Sequence, residues 1–589
     1  MNRIQRLPDD IVNKIAAGEV VERPASVVKE LAENAVDAEA RSVRVEIEGG
    51  GKTRIRVRDD GHGMSREDAE AALQRHATSK LREFEDLQRM ETHGFRGEAL
   101  PSIASVSELV LTTREEASSA GTEVRTRHGQ PPQIRDAGHP RGTTVEVTDL
   151  FGAVPARRKF LRADATEASH VAEALTLLAL SRPAVRFTLV SSGRTIFDAP
   201  PSDGLEARLY QLYGGSFLDD MIAVDGGLEW VQVRGFTSRP DRPGPARPNV
   251  RLFVNGRAVR DRALMKALSE AYRGAGAGSH APETFLFIEV PPHMVDVNVH
   301  PAKTEVRFAD PRTVWTATAR TVGEALSHGA KTVVPAVSPA PSSAFAPGPD
   351  HTERVMEAVE AYVGNAGSAP LFAPSLVPPA AGVSPPARIA EVTPYVVLGQ
   401  HRDIYIVATD GQDLILIDQH TAHERIRFEA LLERAERRAA ESQGLLMPIV
   451  TELPPALREP LREHAEMLSQ LGYDVDPFGG DSIRISAVPA LLGPTDPATT
   501  LIGILRDVVE REDADWSVNG ARDRLAATLA CHSAVRAGQR LNVETMAAIA
   551  RDLPKTLHPN LCPHGRPTIV RIPQDDVSRW FGRTGWKRR

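Results

Sequence analysis

The stretch KELAENAVDA, residues 29–38, constrains this chain more than any other, because it sets an acid, an amide and a second acid into a run with helical periodicity. Glu30, Asn34 and Asp37 are spaced by four and then three residues, which places them on one helical stripe. Val27, Val28, Leu31, Ala35 and Val36 supply apolar residues for the neighbouring faces. Taken alone, the stripe is better explained as a solvated polar face; a functional reading requires partners elsewhere.

Such partners follow. SVRVEIEGGGKTRIRVRDDGHGM, residues 42–64, reads as strand, glycine turn and strand, then Asp59-Asp60-Gly61-His62-Gly63-Met64. There a buried carboxylate precedes backbone flexible enough to pass close to a ligand. HATSK (76–80), GFRGEAL (94–100) and RGTTVEV (141–147) come next. A glycine-rich turn that opens a helix, as GFRGEALPSIASV does, aims several backbone N–H groups at one place and suits an anion such as phosphate. GGGKT at 49–53 imitates the end of a P-loop, but the first glycine of that motif would fall at Glu46 and the segment joins two alternating strands, so it reads as a hairpin turn.

IAAGEVVERPASVVKELAENAVDA, residues 15–38, resembles the MutL mismatch-repair family of GHKL ATPases, a group that includes gyrase B and histidine kinases. With the later motifs, the resemblance covers both ends of the chain and leaves a middle segment unmatched. It implies an α+β multidomain protein with a Bergerat-type ATPase sandwich over residues 1–215 and a second α/β transducer domain over 216–330. A linker over 331–388 and an α/β dimerisation and endonuclease domain over 389–589 complete the expected order. In the first domain Glu30 would polarise the water that attacks the γ-phosphate of ATP. Asn34 would contact Mg²⁺, with Asp37 shaping the same site. Asp59 would accept from the adenine amino group, beside Gly61 and Gly63, with Met64 packing nearby and Thr143 supporting the base. Thr78, Ser79 and Lys80, with Gly94, Phe95, Arg96, Gly97 and Glu98, would form a lid over the triphosphate. Lys303, in DVNVHPAK, would reach the γ-phosphate from the second domain; the alternative is a solvated lysine at a strand end.

A chain of 589 residues should hold several domains, each with its own core. Its net charge of −7 excludes a global nucleic-acid signature, so DNA contact needs a local basic patch. Residues 234–266 hold nine Arg or Lys against two Asp, and Arg257, Arg260 and Arg262 are the candidates for phosphate contact. A solvated basic face competes with that reading. No base-reading motif is visible, so sequence-nonspecific DNA is the expected ligand. MNRIQRLPDDIV lacks the apolar core of a signal peptide and no run is long enough to span a bilayer, so a cytoplasmic, nucleoid-associated protein without membrane contact is expected. Residues 331–388 shift to Pro, Ala and Ser, a flexible linker spanning roughly 40 Å on average, with a short helix at 351–363.

In LILIDQHTAHERIRFEALL, residues 414–432, a buried strand delivers Asp418, Gln419 and His420 to the start of a helix that carries Glu424. His420 and Glu424 share a face at i, i+4, where two side chains can reach one metal. The chain's two cysteines both fall in His-containing motifs, Cys531 in ACHSAVR and Cys562 with His564 in CPHGRP. A disulfide is not expected in a reducing compartment, which leaves buried thiols or metal ligands. The set suits Zn²⁺ or, with the acids and water, Mn²⁺. The alternative, that each is a satisfied core residue, must hold five times over.

The segment also resembles the DQHA(x)2E(x)4E motif of the family's endonuclease-bearing members, through Asp418, Gln419, His420, Glu424 and Glu429, with Thr421 replacing the alanine. The late Phe581-Gly582-Arg583 matches a companion motif. By that resemblance Asp418, His420 and Glu424 are central to cutting a DNA phosphodiester with bound metal. QGLLMP at 443–448 resembles the family's sliding-clamp motif through Gln443, Leu446 and Pro448; an ordinary turn into a strand is the alternative. The implied partners are DNA, MutS, the sliding clamp and a second copy of the chain. A non-nicking matchmaker whose C-terminal metal is structural is the alternative function, and His423 has no assigned role.

Overall fold

The computed structural model describes residues 21–74, 77, 97–240, 249–275, 282–296, 306–329, 395–436, 441–479, 481–492, 496–510, 520–581 and 583. Thr78, Ser79, Lys80, Gly94, Phe95, Arg96, Lys303 and the linker with its expected helix lie outside these residues.

Residues 42–59 alternate apolar and charged side chains, and they form strands β1 (Ser42–Glu48) and β2 (Arg54–Asp59), paired antiparallel from Val43↔Asp59 to Glu48↔Arg54. Val43, Val45, Ile47, Ile55 and Val57 point into the core, while Arg44, Glu46 and Arg56 form ion pairs on the other face. The turn between the strands is the expected hairpin. It contains a 3-10 turn at Gly49–Gly51, and a Cβ on Gly50 would sit 2.4 Å from the carbonyl oxygen of Asp164. Glycine there is a packing requirement and not a phosphate cradle.

These strands enter an eight-stranded sheet of order β5-β4-β3-β6-β2-β1-β7-β8. The others are β3 (Glu108–Arg114), β4 (Gly121–Arg127), β5 (Gln133–Ala137), β6 (Gly142–Thr148), β7 (Arg186–Ser191) and β8 (Arg194–Ala199). Only β1 and β7 run parallel; the remaining pairs are antiparallel. Helices α1 (Pro24–Asp37), α2 (Ala99–Val106) and α3 (Asp164–Ser181) share one core with the sheet. Pro24 starts α1, where a missing N–H costs nothing, and Val27, Val28, Leu31, Ala32 and Ala35 are buried. Burying that face leaves Glu30, Asn34 and Asp37 half-buried along another.

A five-stranded sheet of order β12-β11-β13-β10-β9 follows, from β9 (Met221–Leu228), β10 (Val231–Ser238), β11 (Asn249–Val254), β12 (Arg257–Val259) and β13 (Glu283–Glu289). It packs with α4 (Arg262–Gly274) and α5 (Pro311–Gly329) around a separate core. The run RLFVNGRAVRDRALMKAL is strand only as far as Val259. Asp261 then caps α4 by accepting from Leu264 N at 2.9 Å, and Leu264, Ala267, Leu268 and Ala271 are buried with helical spacing. Short strands β14 (Val295–Asp296) and β15 (Arg307–Phe308) pair beside them.

The C-terminal segment contains an antiparallel sheet of order β16-β17-β18-β22, from β16 (Val396–His401), β17 (Tyr405–Thr409), β18 (Leu414–Asp418) and β22 (Ile569–Ile572). Three further strands, β19 (Ser442–Glu452), β20 (Asp474–Pro477) and β21 (Ser482–Pro489), form a sheet of order β19-β21-β20. Strand β18 buries Ile415 and Ile417 and passes directly into α6 (Gln419–Glu436), which packs against α7 (Ala521–Ser533). Among the described residues no helix is long and apolar enough to cross a membrane.

Candidate nucleotide site and candidate metal centre

Strand β2 carries Asp59 to the sheet's end, beside the C-terminus of α1, where His62 N donates to the Ala38 carbonyl at 3.0 Å. Asp59 Oδ1 accepts from Gly61 N at 2.9 Å and from Thr143 N at 3.2 Å. Burial pushes the Asp59 carboxyl up to about 6 despite both hydrogen bonds. Its neighbour Asp60 instead accepts from Arg41 N and Ser42 N at 2.8 and 2.9 Å, pinning the start of β1. The two adjacent acids therefore do different work.

Thr113 gathers the remaining residues. Its buried hydroxyl accepts from Met64 N at 2.9 Å, donates toward the Gly142 carbonyl at 3.2 Å and lies 3.0 Å from Thr143 Oγ1. Thr113, which sequence reasoning missed, thereby ties Met64 to Thr143, and the Thr143 amide links both to Asp59 and Gly61. The available signal was a threonine at an inward position of the alternating strand ELVLTTR. Gly63 has φ +72°, and a Cβ there would lie 2.1 Å from the Arg114 carbonyl oxygen, so no side chain fits.

On α1, Glu33 is buried and ion-paired with Lys29 at 3.8 Å, next to the half-buried Glu30, Asn34 and Asp37. Arg257, at the start of β12, belongs to this neighbourhood. Burial lowers its pKa, while the carboxylates of Glu33, Asp37 and Glu30 act to raise it. Arg260 and Arg262 are exposed, so the three arginines grouped by sequence occupy two environments. Gly97 and Glu98 lie just ahead of α2, and Gly97 sits so close to Ala77 that a Cβ would come 2.4 Å from its carbonyl oxygen. The chain on either side of the expected lid is thus in contact.

The second site forms where β18 meets α6. Asp418 Oδ1 accepts from His420 N and Thr421 N, both at 3.0 Å, which makes Asp418 the cap of α6. Gln419 is fully buried, and its side-chain amide donates to the carbonyls of Asp403, Arg536 and Gln539. The cap and this clamp fix the helix start. From it, Glu424 meets Cys562 and His564, one ligand atom of each lying within 4.8 Å of the others. His420 Nε2 lies 3.9 Å from Cys531 Sγ, and its Nδ1 lies 2.9 Å from the Val535 carbonyl. Donation from Nδ1 leaves Nε2 as a lone pair directed at the sulfur, the usual arrangement of a ligating histidine. Of the five expected ligands, Glu424, Cys562 and His564 therefore form a cluster of three, and His420, one turn before Glu424 on α6, pairs with Cys531 on α7.

The donor set fits a divalent cation. Glu424 is 2 % exposed, and its Oε1 lies 2.5 Å from His564 Nδ1 and beside the Cys562 thiol, so a carboxylate, an imidazole and a thiol share one buried spot. Burial and then the Glu424 charge push the Cys562 thiol up to about 11, so a thiolate beside that carboxylate requires a cation. Glu429 stands outside the cluster, accepting from Leu557 N at 2.7 Å and His558 N at 3.3 Å. Arg425 Nε donates to the Leu561 carbonyl at 2.6 Å. Both hold the loop that carries Cys562. His423 lies 2.9 Å from Arg427 Nε and 3.1 Å from Val535 N, and burial followed by the Arg427 charge pushes its pKa down to about 4. It is a neutral packing residue.

The mixed sheet with its buried terminal aspartate and acid-amide-acid helix defines a GHKL-type ATPase, and residues 22–130 match the family described as "Histidine kinase-, DNA gyrase B-, and HSP90-like ATPase". Residues 209–327 match "DNA mismatch repair protein, C-terminal domain", and residues 398–541 match "MutL C terminal dimerisation domain". The DNA mismatch repair protein MutL of Anaeromyxobacter dehalogenans (strain 2CP-1) is 42% identical over 610 residues, covering 99% of this chain and 100% of the relative. Those of Geobacter sulfurreducens and Koribacter versatilis are 41% and 38% identical, with the same coverage. The chain belongs to the MutL family of DNA mismatch-repair proteins.

Proposed function

We propose that this mismatch-repair ATPase couples ATP hydrolysis to metal-dependent nicking of DNA by its C-terminal domain, as a homodimer that works with MutS and the sliding clamp. The observation that carries the nicking half is the convergence of Glu424, Cys562 and His564 beside the His420–Cys531 pair. Within the ATPase domain, assigned to residues 1–215, Glu30 is the base for the attacking water and Asp59 the acceptor for adenine. Asn34 would hold Mg²⁺, which would offset the charge of the phosphates. Arg257 is assigned to the acid helix, and Arg260 and Arg262 to DNA phosphates in the second domain, residues 216–330. Lys303 of that domain, with Thr78, Ser79, Lys80 and the 94–98 turn, is assigned to the triphosphate.

The linker of residues 331–388 separates these from the C-terminal domain at 389–589. There Glu424, Cys562 and His564, with His420 and Cys531, would hold Zn²⁺ or Mn²⁺; such ions activate water and stabilise the leaving oxygen of a phosphodiester. Asp418 caps the helix that carries His420 and Glu424, and its negative charge is assigned to cutting beside them. Clamp binding is assigned to Gln443, Leu446 and Pro448, because β19 loses its pairing register with β21 between Gly444 and Ile449 and leaves Leu446 and Met447 exposed. The position of Asp418 in the cap, outside the ligand cluster, favours a second reading in which the metal is structural and the protein acts as a matchmaker.

Nicking of supercoiled plasmid with Mn²⁺ separates the two. Glu424→Gln should lose nicking and keep ATP turnover, whereas Glu30→Ala should bind ATP and fail to turn it over. Parental nicking by Glu424→Gln would remove Glu424 from the nuclease site, and a parent that does not nick would leave the matchmaker reading standing.

A further inference from the structure

The second domain contains a cavity of about 290 Å³ between the first turns of α4 and α5, and strand β15 closes its side. Leu264, Val306, Phe308, Pro311, Val314 and Trp315 form most of its lining. That volume is at the lower end of the ~300–1,000 Å³ typical of small-molecule pockets, which suits one flat ring system. Arg262, Arg307 and Arg312 are exposed around it. Two acids lie nearby, and both are engaged as helix caps. Asp261 accepts from Leu264 N, while Asp310 accepts from Arg312 N at 3.0 Å and from the Thr313 hydroxyl at 2.6 Å.

We infer that this cavity takes an unstacked base of single-stranded DNA, with the flanking phosphates held by Arg262, Arg307 and Arg312. The inference rests on the DNA reading above and adds a contact that the reading lacks. An apolar, aromatic lining inside a cationic rim matches a ring whose neighbours along the chain are anionic. Every base offers a π face, so such a contact favours single strands without selecting a sequence. That agrees with the lack of a base-reading motif. In duplex DNA the same base stays stacked, and entry would require flipping it out.

The test measures anisotropy of a labelled oligothymidylate and of an equally long abasic sugar-phosphate oligomer on the full-length protein. The parent should bind oligothymidylate about 5- to 160-fold more tightly than the abasic oligomer, the range expected for stacking of one base. Trp315→Leu should remove most of that preference and leave abasic affinity and ATP turnover unchanged. Phe308→Leu serves as the second variant, with the same expectation. Arg262→Ala should weaken both oligomers and flatten the salt dependence by about one unit of slope. Equal binding of the two oligomers by the parent, or a preference that survives both aromatic substitutions, would overturn the base site. Failure of the broader DNA reading looks different: no oligomer binds in a salt-dependent way, and Arg262→Ala changes nothing.

Discussion

The pH dependence of nucleotide binding offers a quantitative test of the Asp59 assignment. Burial raises the folded carboxyl from 3.8 to about 6, against the pull of the Gly61 and Thr143 amides. The raised value means that the folded state holds this proton more tightly than the unfolded state. Asp59 alone therefore contributes stability that declines as pH rises from 3.8 through about 6. The shift corresponds to about 3 kcal/mol of strain carried by the ionised folded site at neutral pH. An adenine amino group would offer the charged carboxylate a further donor, beside the Gly61 and Thr143 amides. The ionised form is much the stronger acceptor, and with a pKa near 6 it makes up about nine tenths of the population at pH 7 and one tenth at pH 5. Affinity for a non-hydrolysable ATP analogue should then fall about tenfold between those values, over and above any change from the nucleotide's own terminal phosphate. Calorimetry on the parent and on Asp59→Asn in parallel isolates the difference, since the phosphate titrates identically in both. Binding near pH 5.5 should also release protons from the parent, seen as heats that vary with the buffer's ionisation enthalpy. Parallel pH profiles for the two proteins would refute the assignment.

Three further outcomes are expected. Asp418→Asn keeps an acceptor oxygen for the helix cap, so urea unfolding should match the parent, whereas Asp418→Ala should lose about 1 kcal/mol; nicking should vanish in the Asn variant because the charge is gone, and parental nicking would confine Asp418 to capping. Arg257→Ala should slow ATP turnover while the salt dependence of DNA binding stays unchanged, and Arg262→Ala should show the reverse; identical behaviour of the two variants would rejoin what the structure separates. Cys562→Ser should weaken Zn²⁺ binding by roughly tenfold or more, measured by competition with a chromogenic chelator; unaltered affinity would remove Cys562 from the ligand set.

Motif spacing carried much of both sites, and the places where it fell short have physical causes. Offsets of four and three residues describe a helical stripe at any depth, so Glu30, Asn34 and Asp37 were readable before the core was known. The same logic paired His420 with Glu424. It failed to separate Arg257 from Arg262, because clustered charge in a sequence says nothing about which side chain a hairpin turns toward a neighbouring helix. Nor could it place Thr113, whose importance comes from facing Met64 and Thr143 across the sheet. Asp418 shows a subtler limit. An acid two residues before a histidine can be a ligand or a cap, and only the direction of the backbone N–H groups distinguishes them.

What the amino-acid order determined by itself was local: alternating strands at 42–59, an amphipathic helix with one polar stripe, the hairpin glycines, and histidines and cysteines in short fixed motifs. Those properties follow from backbone periodicity and side-chain chemistry within a few residues. Tertiary structure decided the rest. It buried Asp59 enough to raise its pKa, split five prospective ligands into a triad and a pair, and opened an aromatic cavity beneath three arginines. Each of those outcomes depends on which distant segments share a core, and so on desolvation and close approach that no local spacing encodes.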